Sequence, residues 1–341
     1  MPFSASPCNL DCPAGTDVRR FLTLASQGDA AGAWRAILDR NPLPGVCGRI
    51  CYRPCEAACH RAGLDDAVAV RAIERAVADE AARLNLTREI LDRAERPTGR
   101  HVAIVGSGPA GLSCAYHLAL AGHTPIIFEA AEEPGGMLRY GIPAYRLPRA
   151  VLAEEIDLLK RLGVEIRTSH RLGADLSWAD LNVFDAVFLG VGRQRSTPAG
   201  VPGERLDGVR RGIEFLRDVN AGHHAGVSGR VVVIGGGNTA IDTARVAVRK
   251  GAKVTVIYRR SREDMPAHPD EIAQAEAEGI QFVYQASPVR FQGWRGVLTS
   301  VHCQRTRPGA PDASGRPVPE PIAGDTFTLS SSSLTIASAS N

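Results

Sequence analysis

Glycines recur twice in this chain at a spacing that brings a backbone turn close to a diphosphate. VAIVGSGPAGLSCAYHLALAGHTPIIFEA begins at Val102, and VVVIGGGNTAIDTARVAVRKGAKVTVIYR begins at Val231, 129 residues later. Gly106, Gly108 and Gly111 fall on Gly235, Gly237 and Ala240, and Gly122 falls on Gly251 without a gap. The apolar runs Val102 to Val105 and Val231 to Ile234 read as buried parallel strands. The first glycine permits the tight turn out of the strand, and the second lets a pyrophosphate reach the backbone. The third glycine, or alanine, lets the following helix pack close. That helix then offers free N–H groups and a positive dipole end to phosphate. The candidate cofactor-binding residues are therefore Gly106, Gly108, Pro109, Ala110 and Gly111 in the first copy. In the second they are Gly235, Gly236, Gly237, Asn238 and Thr239. A single fingerprint is weak, because a glycine-rich turn can bind nothing. Two in register imply two nucleotide cofactors, with electrons passing between them.

The copies differ where their second strands end. Ile126-Ile127-Phe128 runs into Glu129, and a carboxylate there accepts hydrogen bonds from a ribose 2′-OH. That suits the AMP half of FAD or NAD. The same offset in the second copy gives Tyr258, followed by Arg259, Arg260 and Arg262. No acid stands there to repel a 2′-phosphate, and three guanidinium groups are at hand to bind it. The second site reads as one for NADP(H); the alternative is a solvated basic turn.

The third chemical cluster is made of thiols. Six of the eight cysteines lie in the first 59 residues: Cys8, Cys12, Cys47, Cys51, Cys55 and Cys59. Soft ligands at this density suit zinc or an iron–sulfur cluster. Structural zinc prefers paired C-x2-C knuckles, and the spacing here is C-x3-C. The missing C-x-x-C also argues against a redox dithiol of the thioredoxin-reductase kind. Cys12-Pro13 is a pairing common in iron–sulfur loops, so a 4Fe-4S cluster is favoured over zinc or free thiols. Cys114 reads as a small buried residue of a fingerprint helix, and Cys303 stands alone.

These groups need elements to position them. Phe21 to Leu38 reads as one amphipathic helix and Ala67 to Leu91 as one or two more, which leaves the cysteines on loops between short helices. Arg96-Pro97-Thr98-Gly99 reads as a linker. Val151 to Leu162 reads as a helix, and Val164 to Arg167 and Ala186 to Val191 as strands. Pro198 to Gly208 reads as a second linker, residues 306 to 325 as a proline- and glycine-rich loop, and the end, LSSSSLTIASASN, as serine-rich. The fold class is α/β, with two Rossmann-like dinucleotide-binding domains. At 341 residues and 44% hydrophobic content, the chain can bury two or three domain cores. A net charge of +3 gives no argument for nucleic acid. No apolar run reaches transmembrane length and MPFSASPC lacks the form of a secretory leader, so no membrane role and a cytoplasmic location are expected. His117 and His268 read as structural or solvated, and no catalytic side chain is assigned.

The motifs PCNLDCPAG, NPLPGVCGRICYRPCEAAC, AVAVRAIERAVADE and GSGPAGLSCAYHLALAGH, in this order, resemble the small (beta) subunit of NADPH-dependent glutamate synthase. They are similar also to the N-terminal half of dihydropyrimidine dehydrogenase. EEPGGMLRYGIPAYRLP, VFLGVG, GGGNTAIDTARVAVRKGA and YRRSREDMPAHPDE extend the resemblance over nearly the whole chain. It implies an α-helical iron–sulfur domain (1–97), an FAD domain (98–200) and an NADPH domain (201–341). It also implies that Cys12, Cys51, Cys55 and Cys59 hold one 4Fe-4S cluster. Cys47 then matches a cysteine that is no ligand, and Cys8 a ligand of a second cluster. Gly135, Gly136, Met137, Leu138 and Pro143 would line the flavin side.

Two departures from the family pattern stand out. The upstream C-x2-C that completes a second cluster is absent before Cys8. Glu74, at a place where the family can use a non-cysteine ligand, cannot complete one with Cys8 alone, so one cluster is expected. The family chain also returns from the NADPH domain to close over the flavin, whereas this sequence stops at about the strand before that return. Two functions follow. One is an oxidoreductase subunit that moves hydride from NADPH to FAD and electrons through the cluster to an electron-accepting partner, such as a glutamate synthase large subunit. The other is a truncated, catalytically weak nucleotide-binding and docking protein that does not retain FAD.

Overall fold

A computed structural model describes residues 6–336 apart from 87, 195, 197, 224, 225 and 314. Residues 1–5, within the opening MPFSASPC, and 337–341, within the closing TIASASN, lie outside the described residues. The chain forms two compact units, residues 1–139 with 144–192, and 140–143 with 193–341.

The first unit opens with helices α1 (Pro7–Leu10), α2 (Val18–Ser26), α3 (Ala30–Leu38), α4 (Pro44–Ile50), α5 (Pro54–Ala57), α6 (Val70–Arg83) and α7 (Arg88–Leu91). The single helix expected over Phe21 to Leu38 is two. Gly28 takes φ +78° after α2, and the Asp29 carboxylate accepts the Gly32 N–H to start α3. This turn and cap override a continuous apolar period. Phe21, Ile37 and Leu38 are fully buried. Gly48 lets α4 lie against α6, because a Cβ there would sit 2.7 Å from the Arg75 backbone.

The rest of this unit is a parallel sheet in the order β3-β2-β1-β4, formed by β1 (His101–Val105), β2 (Thr124–Phe128), β3 (Glu165–Arg167) and β4 (Ala186–Leu189). Helix α8 (Pro109–Leu120) links β1 to β2. After β2 come α9 (Gly136–Tyr140) and α10 (Arg149–Arg161), and α11 (Trp178–Leu181) precedes β4. Ala103, Val105, Ile126 and Phe128 pack with Leu176 and Leu181 on one face. The buried Tyr116 of α8 donates its hydroxyl to the Leu38 carbonyl at 3.1 Å, tying the first sheet's helix to α3. Edge strand β4 is exposed at Val187, Phe188 and Leu189.

The second unit begins with β5 (Val209–Arg211), α12 (Gly212–Asn220), β6 (Arg230–Ile234), α13 (Asn238–Arg249), β7 (Lys253–Tyr258), α14 (Pro269–Ala277) and β8 (Gln281–Tyr284). It continues with β9 (Ala286–Trp294), β10 (Val297–Pro311), β11 (Pro317–Ser330) and β12 (Ser333–Ile336). One parallel sheet runs β5-β12-β6-β7-β8, and an antiparallel sheet runs β11-β10-β9. Val232, Ile234 and Ile257 form a core with Phe291, Leu298, Val301 and Cys303. The loop expected over 306 to 325 is instead the hairpin of β10 and β11. Past Arg305, β10 pairs only with β11, so Pro308 and Pro311 cost no second ladder of hydrogen bonds. Among the described residues no helix is long and apolar enough to cross a membrane.

Candidate nucleotide and iron–sulfur sites

The two glycine turns are built alike. Strand register is conserved between them: Val105 faces Phe128, and Ile234 faces Ile257. The Gly106 N–H donates to the Phe128 carbonyl at 2.8 Å, and the Gly235 N–H to that of Ile257 at 3.0 Å. Both glycines take positive φ, +103° and +135°. A Cβ on Gly111 would overlap the Gly106 carbonyl, whereas one on Gly108 would meet nothing within 4 Å. The space beside Gly108 is therefore open. Helices α8 and α13 begin at Pro109 and Asn238 without a side-chain cap on their N-termini. Uncapped N–H groups beside an open glycine form a cradle that fits a diphosphate. Ala110 follows Pro109 in the first turn of α8, and Thr239 follows Asn238 in the first turn of α13.

Different side chains close the two turns. Glu129, almost buried, accepts the Ser107 N–H at 2.8 Å and the Ser107 hydroxyl at 2.5 Å, and its other oxygen accepts the Ala131 N–H at 2.8 Å. The Ser107 hydroxyl in turn accepts the Gly135 N–H at 2.9 Å. Gly136 lies against Gly108, where a Cβ would come within 2.8 Å of the Gly108 Cα. The structure thus brings Gly135 and Gly136, followed in α9 by half-buried Met137 and buried Leu138, to the first turn. Pro143 belongs to the segment 140–143 of the second unit. There the Asn220 side chain donates to the Tyr140 and Ile142 carbonyls at 2.9 and 3.3 Å.

At the second turn the Tyr258 ring lies over Gly236, and its hydroxyl donates to the Asp264 carbonyl at 2.8 Å. Sequence reasoning missed the loop before α14, for which the MPAHP run was the available signal. The Ala267 N–H donates to the Gly236 carbonyl, and the His268 N–H to the Asn238 side chain, each at 3.1 Å. His268 Nδ1 also accepts the Asp270 N–H and caps α14, a structural role.

The three arginines do not act together. Arg260 is buried, paired with Asp312 at 2.7 Å and donating to the Pro317 carbonyl at 2.6 Å. Arg262 pairs twice with Glu276, at 2.8 and 2.9 Å, and that hydrogen-bonded carboxylate raises its pKa further. Arg259 is exposed and has no side-chain partner among the described residues. Arg259 and Arg260 line a cavity of about 100 Å³ with Asp264 and Arg307.

The cysteines were expected on loops, but Cys8, Cys47 and Cys55 are helical, in α1, α4 and α5. Proline at the start of each of these short helices permits it. Cys55 lies in α5, Cys51 and Cys59 flank that helix in sequence, and Cys12 follows α1. Burial first, then the thiols of Cys51 and Cys12, push the Cys55 thiol up to about 12. Burial raises Cys51 as well, with Glu74 and Cys12 adding to it. Arg53 takes a left-handed φ of +62°, and its N–H donates to Cys51 Sγ at 3.4 Å. The half-buried Cys59 is lowered, chiefly by the Val68 N–H and also by those of Arg61 and Ala62.

Among the described residues no three His, Cys, Asp or Glu side chains converge on a point for one metal ion. Thiols partly withdrawn from solvent, with N–H donors at Cys51 and Cys59, fit instead the more widely spaced corners of an iron–sulfur cluster. Cys47 donates to Asn41 at 3.6 Å, and Asn41 donates to Glu74 at 2.8 Å, so Glu74 is already engaged. Burial lifts Glu74 to about 7. Cys8 meets Ser6 Oγ at 3.2 Å. Cys114 is half-buried, more open than expected.

Comparison with known proteins agrees with this geometry. Residues 100–308 match the family described as pyridine nucleotide-disulphide oxidoreductase. Residues 3–86 match the family described as dihydropyrimidine dehydrogenase domain II, 4Fe-4S cluster. The NADPH-Fe(3+) oxidoreductase subunit beta of Geobacter sulfurreducens is 42% identical over 95% of this chain and 49% of its own length. The glutamate synthase NADPH small chain of Escherichia coli is 36% identical over 93% of this chain and 70% of its own length. The chain thus spans about half the length of the first of these relatives. Mycobacterium tuberculosis FprA in complex with NADPH shares the fold, with a TM-score of 0.61 at 20% identity over 71% of this chain and 70% of that one. The chain belongs to the pyridine nucleotide-disulphide oxidoreductase family, in the branch of the glutamate synthase small chain, whose cofactors are FAD, NADPH and a 4Fe-4S cluster.

Proposed function

We propose that this chain is the electron-input part of a larger oxidoreductase, with NADPH as donor and a separate protein subunit as acceptor. The observation that supports it most is the pair of glycine turns, alike in backbone but closed by Glu129 in one and Tyr258 in the other. When bound, FAD takes a hydride from NADPH, and the cluster carries single electrons onward. The protein's part is to hold and orient. In this reading Gly106, Gly108, Pro109, Ala110, Gly111 and Glu129 hold the AMP half of FAD, and Gly135, Gly136, Met137, Leu138 and Pro143 lie on the flavin side. Gly235, Gly236, Gly237, Asn238 and Thr239 hold the NADPH diphosphate, and Arg259 meets its 2′-phosphate. Arg260 and Arg262 act at a distance by fixing the hairpin and α14. Cys12, Cys51, Cys55 and Cys59 carry the cluster. The divisions 1–97, 98–200 and 201–341 are the corresponding domains.

All eight cysteines are free, in keeping with a reducing compartment such as the cytoplasm. A glutamate synthase large subunit is one acceptor of the required kind. The exposed apolar edge strand β4 favours a second reading, a nucleotide-binding and docking protein that does not retain FAD. Arg259→Ala should weaken NADPH binding about tenfold and leave NADH binding nearly unchanged in equilibrium titrations. Equal losses for both nucleotides would show that Arg259 does not read the 2′-phosphate.

A further inference from the structure

At an offset of 129 the strand registers of the two turns match, so Ser107 corresponds to Gly236 and Glu129 to Tyr258, while Gly135 and Asp264 share the same offset in sequence. In both sites these three positions are joined, but by different chemistry. In the first, the Ser107 hydroxyl donates to Glu129 and accepts from the Gly135 N–H. In the second, the Tyr258 hydroxyl donates to the Asp264 carbonyl, and the ring takes the space a side chain at 236 would need.

We propose that the residue between the first two glycines and the residue closing the second strand form one coupled specificity element in each site. Ser107 with Glu129 selects an adenosine with a free 2′,3′-diol. Gly236 with Tyr258 selects a 2′-phosphorylated adenosine. This deepens the reading of the second site as one for NADPH, and rests on it.

Each member dictates the other. Ser107 supplies two of the three donors that hold the Glu129 carboxylate and both fall on Oε2, which leaves one lone pair on Oε1 for a ribose hydroxyl. A carboxylate so placed repels a phosphate. Without Ser107 it loses a hydroxyl donor at a nearly buried position. In the second site a Cβ at Gly236 would sit 2.5 Å from Tyr258 Cδ2 and Cε2. The ring cannot swing aside cheaply, because its hydroxyl is tied to Asp264 and Tyr258 is itself buried. A serine therefore enters position 236 only when the tyrosine leaves, and a carboxylate at 258 is held only when a serine is there to donate to it.

The test uses the whole chain, with FAD filling the first site wherever the second is read, and two fragments without a nicotinamide, ADP-ribose and 2′-phospho-ADP-ribose, so that turnover does not enter the readout. Their dissociation constants are measured calorimetrically for wild type, Gly236→Ser, Tyr258→Glu and the double variant, with thermal melts to confirm folding. Each single change should weaken both fragments about tenfold, and the double variant should bind ADP-ribose about tenfold more tightly than the two losses multiplied predict. Its preference should invert in favour of ADP-ribose. Losses that simply multiply in folded variants would overturn the coupling. Should a second-site variant fail to fold, the cycle of Ser107→Ala and Glu129→Gln, read as ADP-ribose affinity at the first site, decides the same point: multiplicative losses there also overturn it. Wild-type indifference to the 2′-phosphate would contradict the NADPH reading itself, and it would show before any residue is changed.

Discussion

In both nucleotide turns the backbone closes on itself: Gly106 bonds to Phe128, Gly235 to Ile257, and α8 can approach only because position 111 is glycine. In the cysteine loop the chain gathers thiols that raise one another, on short helices α4 and α5 and a left-handed Arg53. The turns are thus shaped by packing before any ligand arrives. The loop brings together thiols that burial holds protonated, whose thiolate form a bound cation would stabilise. Nucleotide sites of this kind should survive loss of their cofactor, whereas the cysteine loop should not survive loss of its metal.

Chelating iron from the protein is the sharpest way to break that contrast. It should open the segment between α4 and α6 to limited proteolysis while both nucleotide units stay protected. Equal protection before and after would show that the loop is preformed as well. Next in size, Gly111→Val drives a side chain into the Gly106 carbonyl and should destabilise the first unit by about 3 kcal/mol, with loss of flavin. A melt unchanged from wild type would mean that α8 does not need its close approach. In the second unit, buried Arg245 of α13 pairs with Glu271 and Glu278 on and just after α14. Arg245→Met removes the buried cation from this cluster, in which Glu278 keeps Arg249, and should cost about 3 kcal/mol, read in urea unfolding.

A smaller effect concerns how α4 docks within the first unit. Glu155 of α10 accepts the Gly45 and Val46 N–H groups at the start of α4, and burial lifts its carboxyl to about 8 from the ordinary 4.5. Glu74 and Arg49 are the charged groups that act on it from the packed helices, in opposite senses. A raised carboxyl means the folded state holds a proton that the unfolded state has released. Stability is therefore full below about pH 4.5 and declines as pH rises toward 8. Protection of the α4 amides relative to the intrinsic base-catalysed exchange rate should fall across that window in wild type and stay flat in Glu155→Gln. A flat wild-type profile would place the proton elsewhere.

Much of this arrangement was legible in the sequence because it rests on local backbone needs. The glycine spacing fixed both turns, and Glu129 and Tyr258 stood at the offset where strand ends must lie. What escaped was decided by partners distant in sequence. Arg260 looked like a phosphate ligand until Asp312, in the turn between β10 and β11, occupied it. That hairpin was hidden because its prolines sit where only one neighbouring strand is present. The break at Gly28 was hidden because the apolar period runs on through it. The packing of Tyr258 on Gly236 could not be read from either residue alone.

The most direct test of the central claim is anaerobic purification of the chain, with iron, sulfide and flavin quantified on one sample and NADPH then added under an absorbance probe. The account predicts about four irons per chain, bound flavin, and bleaching of the flavin band by NADPH. Iron and flavin both absent, or flavin that NADPH does not bleach, would contradict it.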